Sequence, residues 1–338
     1  MVRALERAGH ETVLYLRDQH GWSIDQHRTT IHSWWPEVNA EIRNFDGNVE
    51  DCHAIFATGW ESAWALLTTN AKGLRCYFVQ DFEPSFYAAG SEYLLAEATY
   101  RFGFFGVTVG SYLGRLLKDQ YNMEATHLDF GCDLDDYSLN NDSTERRQGI
   151  CYYCRPSTPR RAHEVAVAAL KLFSKSHPGV PIHFYGEPVG ALPFEVQHHG
   201  LLSPRELGDL YNKCIAGLVL SATNVSLVPY EMLAAGCIPV VNDAPHNREV
   251  LDNNHVKYSG ATPYEIAAAL TELVSSPAET RRQRSKEASQ SVSSSTWRGV
   301  EEKFVQIVQS AVADRTQLCS NQPTGERLWT TDQSQAPC

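Results

Sequence analysis

The chain has 338 residues, 43% of them apolar, and a formal net charge of −11. That length suits two domains of ordinary size. The acidic balance argues against broad nucleic-acid binding and against a general attraction to anionic lipid, since basic surfaces hold both kinds of partner, although a local basic patch still permits peripheral membrane contact.

No apolar run reaches the ~18 residues that suggest a membrane-spanning helix. The opening MVRALERAGHETVLYL is broken by charges and has no small-residue cleavage site after it, so it does not read as a signal peptide. The nine cysteines are odd in number and scattered. Cys52, Cys76, Cys214 and Cys237 sit in apolar runs, which reads as reduced, buried thiols in a cytoplasmic protein. Cys151 and Cys154 form a C-x-x-C, but within a strand pattern, where i and i+3 point to opposite faces.

In chain order, residues 1–8 read as a helix ending at Gly9, and 11–16 as a strand. Residues 17–50 read as irregular, with a short helix near 37–42. Then come a strand at 53–58, a helix at 60–70 and a strand at 75–79. The loop that follows, QDFEPSFYAAG, carries Asp81 and Glu83. Either carboxylate suits orienting or deprotonating an acceptor hydroxyl, and either equally suits capping a turn. A helix at 91–102, a strand at 106–109, a helix at 111–121 and a strand at 125–130 complete the first half.

Residues 131–148, GCDLDDYSLNNDSTERRQ, lack apolar periodicity and read as an interdomain linker. Asp133, Asp135 and Asp136 there have the D-x-D form that can hold a divalent metal on a diphosphate, but in a linker they read as a solvated turn. The histidines show no ligand spacing, and neither a G-x-S-x-G nor a P-loop is present. No metal and no cofactor is expected.

The second half alternates again. A strand at 150–154 runs into Arg155-Pro156-Ser157-Thr158-Pro159-Arg160-Arg161, a local positive cluster at the strand's carboxyl end. Arginines there can fork onto phosphate oxygens, or simply form a solvated basic turn. A helix with Ala162, Val165, Ala166, Ala169, Leu170 and Phe173 on one face follows, then a strand at 182–185 ending at Gly186. Ser203-Pro204-Arg205-Glu206 is a capping box with Pro at the first helical position.

Residues 215–241 read as strand, loop, short helix and strand. Pro229 falls in the first helical turn, Gly236 just past the helix end, and 238–241 is a β-branched run suited to a parallel sheet. The loop offers Thr223, Asn224 and Ser226, and Glu231 lies in the first turn of the helix, where a carboxylate can accept hydrogen bonds from a ribose or merely favour the helix dipole. A short strand at 256–258, helices near 262–275 and 278–290, and an amphipathic helix at 297–313 close the pattern.

Alternating strands and helices in both halves imply an α/β architecture of two doubly wound, Rossmann-like domains facing a cleft. The expected boundaries are 1–146 for the first domain, 147–296 for the second, 297–315 for a C-terminal helix, and 316–338 for a polar, disordered tail. The first domain starts at the helix that ordinarily follows the central strand and its Gly-rich turn, so it is expected to lack its first strand, as a truncated start would produce.

These residues resemble the retaining family 4 glycosyltransferases of GT-B fold. That family carries a strand followed by G-R-x-x-x-x-K, matched here by Arg155 and Arg160, with Arg in place of Lys. It also carries E-x7-E before a helix and a G-x-P-V-V strand, matched by Glu231 and by Gly236-Cys-Ile-Pro-Val-Val. The first Glu is replaced by Thr223. That departure, with CRPSTPRR, VQDFEP and TNVSLVPYEM, resembles the bacterial WsaF-type rhamnosyltransferases that build surface glycans and use dTDP-rhamnose.

The resemblance implies metal-independent transfer of a sugar, with retention, from a dTDP donor to a saccharide or lipid-linked saccharide, in the cytoplasm or at the inner membrane face. Arg155, Arg160 and Asp81 are then the catalytic candidates. Donor binding falls to Arg155, Arg160, Gly186, Thr223, Asn224, Ser226 and Glu231, and the acceptor side to Asp81 and Glu83. A degenerate protein that binds a nucleotide sugar without turning it over is the alternative, which the missing strand and Thr223 both favour.

Overall fold

The computed structural model describes residues 1–18, 21–140 and 147–320, without the side chains of 316–320. The first half contains α1 (Val2–Arg7), β1 (Val13–Leu16), α2 (Ile24–Trp34), β2 (Glu41–Asn44), β3 (Ala54–Ala57), α3 (Trp60–Thr68), β4 (Leu74–Val79), α4 (Ser91–Thr99), β5 (Phe105–Val109), α5 (Ser111–Tyr121) and β6 (Ala125–Leu128).

Two of these elements correct the expectation for 17–50. α2 forms where no helix was expected, and the residues near 37–42 lead into a strand rather than a helix. α2 buries none of its residues, so it has no apolar stripe to read; a reciprocal capping box between Ser23 and Gln26 starts it instead. β2 is four residues long with Ile42 alone buried.

The first-domain sheet is split. β1 pairs in parallel with β2, and β3-β4-β5-β6 form a separate parallel sheet. β1 and β3 have no ladder bonds to each other, and each has a single ladder partner.

The second half contains β7 (Ile150–Cys154), α6 (His163–Ser176), β8 (Ile182–Gly186), β9 (Gln197–His198), α7 (Pro204–Lys213), β10 (Ala216–Leu218), α8 (Val228–Ala234), β11 (Ile238–Asn242), α9 (Pro245–Leu251), β12 (Lys257–Ser259), α10 (Pro263–Ser275), α11 (Ala278–Ser291) and α12 (Trp297–Ser320). Its strands lie in the order β12-β11-β10-β7-β8-β9, all parallel, which is the doubly wound order with β7 first. The predicted capping box is present, Ser203 Oγ accepting from the Glu206 N–H while the Glu206 carboxylate accepts from the Ser203 N–H. α9 escaped the sequence reading because seven residues hold too few turns to show a period.

Cys76, Cys214 and Cys237 are buried free thiols, but Cys52 is exposed, contrary to expectation, because it lies in the loop ahead of β3. The stretch after β6 is not a loose tether. Cys132 bridges to Thr296, Tyr137 is buried against Tyr211, and a Cβ on Gly131 would meet the Trp297 backbone at 2.8 Å. The rest of the expected linker, 141–146, lies outside the described residues.

α12 then returns to the first domain, where Phe304 packs on Phe56 and Phe78 and joins Val107, Leu128, Val300 and Val308 in one core. It continues to Ser320, beyond the expected end of the helix; the remainder of the expected tail, 321–338, lies outside the described residues. Arg115 on α5 pairs with Glu249 on α9 at 2.6 Å, and the Tyr112 and His246 rings lie 5.9 Å apart, so the two domains meet along this side.

Candidate functional site

A cavity of about 1360 Å³ opens between the domains. It lies where β7 and β10, neighbours in the sheet, send their chains to opposite faces, the usual ligand position in a doubly wound sheet. From the second domain Arg160, Arg161, Ser226 and Glu231 line it, and from the first domain Asp81 and Glu83 face them. The same cavity reaches both first-domain sheets, lined by Leu14 of β1 and Phe78 of β4.

The loop after β10 is held from both sides. Asn242 receives the Ser221 N–H and donates to the Ser221 carbonyl, each at 2.8 Å. Asn224, which is 1% exposed, donates to the carbonyls of Gln80 at 2.9 Å and Val109 at 3.2 Å, across the domain boundary. Thr223 Oγ donates to Asp81 Oδ2 at 3.0 Å. The loop therefore belongs structurally to both domains. Ser226 Oγ is buried and has no hydrogen-bond partner.

Glu231 stands in the first turn of α8. Burial, with no compensating cation or hydrogen bond, pushes its carboxyl up to about 7. Around it lie paired aromatics: Tyr153 stacks on Tyr185, and Tyr185 Oη accepts from Tyr211 Oη at 2.9 Å. Tyr137, Tyr153, Tyr185 and Tyr211 all line the cavity, an apolar wall that the sequence hid among ordinary core tyrosines.

The basic cluster divides. Arg160 Nε lies 3.4 Å from Asp81 Oδ2, and its guanidinium sits 4.1 Å over the Phe86 ring. Arg160 Nε and Arg161 Nη1 are buried atoms without hydrogen-bond partners. Burial, then the neighbouring charge of Arg160, holds Arg161 below its ordinary range, so an anion in the cavity would relieve both groups. Arg161 belongs to the basic cluster read from the sequence but was not among the expected site residues; it follows Arg160 in one turn of 3-10 helix. Arg155 is turned aside: Nε donates to Glu187 at 2.8 Å and Nη1 to Tyr153 Oη at 3.0 Å. Gly186 ends β8 at φ +109°, where a Cβ would lie 2.5 Å from the Cys154 carbonyl oxygen.

On the other wall Asp81 is 7% exposed, and burial raises its carboxyl despite Thr223, Arg160 and the Phe82 N–H. Glu83 accepts the Trp60 N–H at 2.7 Å and so caps the start of α3. Burial first of all pushes its carboxyl up to about 7. Asp133 Oδ1 accepts the Asp135 N–H at 3.2 Å, a local turn, and no cluster of three metal-ligating side chains occurs among the described residues. The chemistry on offer is thus a pair of guanidinium groups for an anion, a free carboxylate for hydroxyls, and an aromatic wall for a flat or apolar group.

Residues 44–109 match the family model described as WsaF, N-terminal domain, and residues 148–271 match WsaF, C-terminal domain. The O-antigen biosynthesis protein RfbC of Myxococcus xanthus is 33% identical over 256 residues, which is 73% of this chain and 20% of that protein, so the chain spans about a fifth of its curated relative. Among solved structures, HepE of Anabaena in complex with UDP and glucose superposes with a TM-score of 0.68 at 12% identity, covering 91% of this chain and 94% of that one. Sucrose-phosphate synthase of Thermosynechococcus elongatus gives 0.67 at 12% identity, covering 93% and 92%. The shared architecture is the GT-B glycosyltransferase fold.

Proposed function

This chain belongs to the WsaF family of glycosyltransferases, and on that premise we propose that it moves rhamnose from dTDP-rhamnose to a saccharide or lipid-linked saccharide acceptor, with retention, in the synthesis of a surface polysaccharide. The observation that carries this reading is the convergence of Arg160, Arg161, Ser226 and Glu231 on one cavity, with buried donor atoms on the first three that make no hydrogen bond within the protein. A nucleoside diphosphate supplies what those atoms lack. Its phosphate oxygens meet the guanidinium groups, and its ribose hydroxyls donate to Glu231.

As the sugar–phosphate bond breaks, negative charge grows on the departing diphosphate, and fixed guanidinium groups in a water-poor cleft stabilise it. Arg155 joins them by swinging from Glu187 to the phosphate. On this reading cations of the protein take the place of a metal, and chelation leaves turnover intact. Retention follows the family resemblance: the acceptor approaches on the face the leaving phosphate occupies, and that phosphate takes the acceptor's proton.

Asp81 and Glu83 line the opposite wall, where this reading puts the transferred sugar and its acceptor. No described helix is long and apolar enough to cross a membrane; the work is assigned to the cytoplasm, in peripheral contact with the inner membrane where the acceptor is lipid-linked.

A thermal-shift screen of nucleotides and nucleotide sugars tests the donor. At a hundredfold excess over its Kd, a true donor stabilises the fold by about 2.7 kcal/mol. dTDP and dTDP-rhamnose should give the largest shifts; no shift with any nucleotide would sink the reading. Binding without turnover is the second reading, favoured by Thr223 at the place of a family carboxylate. Release of free dTDP from dTDP-rhamnose in the presence of acceptor glycans separates the two.

A further inference from the structure

The family resemblance implies that the first Glu of E-x7-E helps place the donor sugar, and Thr223 stands at its position here, yet a carboxylate lies beside it. Asp81 arrives there from the other domain. Its Oδ2 accepts from Thr223 Oγ at 3.0 Å, a separation of 142 residues in sequence. We propose that Asp81 is the donor-sugar carboxylate of this enzyme, supplied across the cleft by the first domain of the same chain, with Thr223 as the positioning residue that holds it. This rests on the nucleotide-sugar reading of the cavity and assigns Asp81 to the donor rather than to the acceptor.

Three observations converge on it. First, Asp81 has acceptor capacity to spare. Oδ1 takes the Phe82 N–H at 2.8 Å and Oδ2 takes Thr223, while each carboxylate oxygen accepts twice, so one site on each remains for sugar hydroxyls in the cavity that Asp81 lines. Second, its charge is compensated without being used up. Arg160 Nε stands 3.4 Å from Oδ2 and makes no hydrogen bond to it. Third, the contact is built in rather than incidental. Asn224, next to Thr223, fastens the same loop to the Gln80 and Val109 carbonyls, which fixes residue 223 against residue 81.

The identity of residue 223 then has a physical cause. A Glu at that position would set a second carboxylate within hydrogen-bond distance of the buried Asp81, and two like charges that close disfavour each other's ionised form. A hydroxyl donor is the complement an incoming carboxylate needs. A consequence separates this arrangement from one with both carboxylates in one domain: the sugar is gripped only while the domains are together, whereas the nucleotide is held by the second domain alone.

Calorimetry on the full chain tests this with paired probes, dTDP and dTDP-rhamnose, and in parallel UDP and UDP-glucose. Asp81→Asn should weaken the sugar nucleotide at least about tenfold and leave the bare diphosphate within about twofold. Equal loss for both probes would overturn the assignment, since Asp81 would then act on closure or on the phosphates.

Thr223→Glu should lose a similar factor, and Thr223→Glu with Asp81→Thr, which exchanges the two groups across the domain boundary, should recover most of it. If the double variant instead loses the product of the single losses, the positions are independent and the proposal fails. Thr223→Val and Asp81→Asn, nearly isosteric, carry the same cycle where the Glu variant does not fold. If neither bare diphosphate binds the wild-type chain, the nucleotide-sugar reading itself falls, an outcome distinct from any of these.

Discussion

Glu231 and the two cavity arginines make opposite demands of their surroundings, and both demands are testable. With its carboxyl pushed up to about 7 by burial, Glu231 is largely protonated in the empty site at mildly acidic pH. Ribose hydroxyls bind the ionised form, so ligand binding must displace a proton below that value. Affinity for dTDP-rhamnose should therefore fall as pH drops below about 7, by up to about tenfold per unit, and level off above it. Calorimetry across that range checks this, with Glu231→Gln removing the slope.

Arg160→Ala and Arg161→Ala should each weaken dTDP by about 1.5–3 kcal/mol, the range of a hydrogen bond to a charged group. Arg155→Ala reports whether that side chain leaves Glu187 for the phosphate, and unchanged dTDP affinity would remove it from the site. From the sequence, Glu231 and Arg160 were legible through their place at strand-to-helix junctions. Arg161 was legible as a member of the same basic cluster but was not carried into the site, because the family pattern matches only Arg155 and Arg160.

At the scale of elements, the readable parts were those whose signal is local. The capping box at Ser203, the apolar face of α6 and the β-branched run of β11 each carry their own evidence within a few residues. α2 carried a signal of the same kind in Ser23 and Gln26, which the sequence reading passed over, whereas β2 is four residues long with Ile42 alone buried. Glu83 shows an element end that depends on a distant residue. It lies 23 residues beyond Trp60 and satisfies one of the free N–H groups that open α3.

Burial raises the Glu83 carboxyl from the ordinary 4.5 to about 7, so the folded state binds the proton more tightly than the unfolded chain does. The stability this contributes is full below about pH 4.5 and is lost as pH rises through about 7, at most about 3 kcal/mol. Urea denaturation at several pH values should show wild type losing more stability over that window than Glu83→Gln.

At the scale of the whole molecule, α12 ties the halves together. Phe304 comes from the far end of the chain yet belongs to the first-domain core with Phe56 and Phe78. Phe304→Ala should reduce stability by about 3–5 kcal/mol. Amide hydrogen exchange should place the lost protection in β4 and β6, and loss confined to the second-domain sheet would contradict this packing.

The sequence by itself determined the alternation of strands and helices and the two-domain α/β class, because periodicity, caps and turn residues are written within a dozen positions. The tertiary structure alone decided that β1 and β2 pair apart from β3-β4-β5-β6, that Arg160 and Arg161 rather than Arg155 line the cavity, and that Asp81 meets Thr223 across the domain boundary. Those outcomes depend on distances between residues far apart in the chain. Such distances are set by how the sheets and α12 pack, and no local pattern records them.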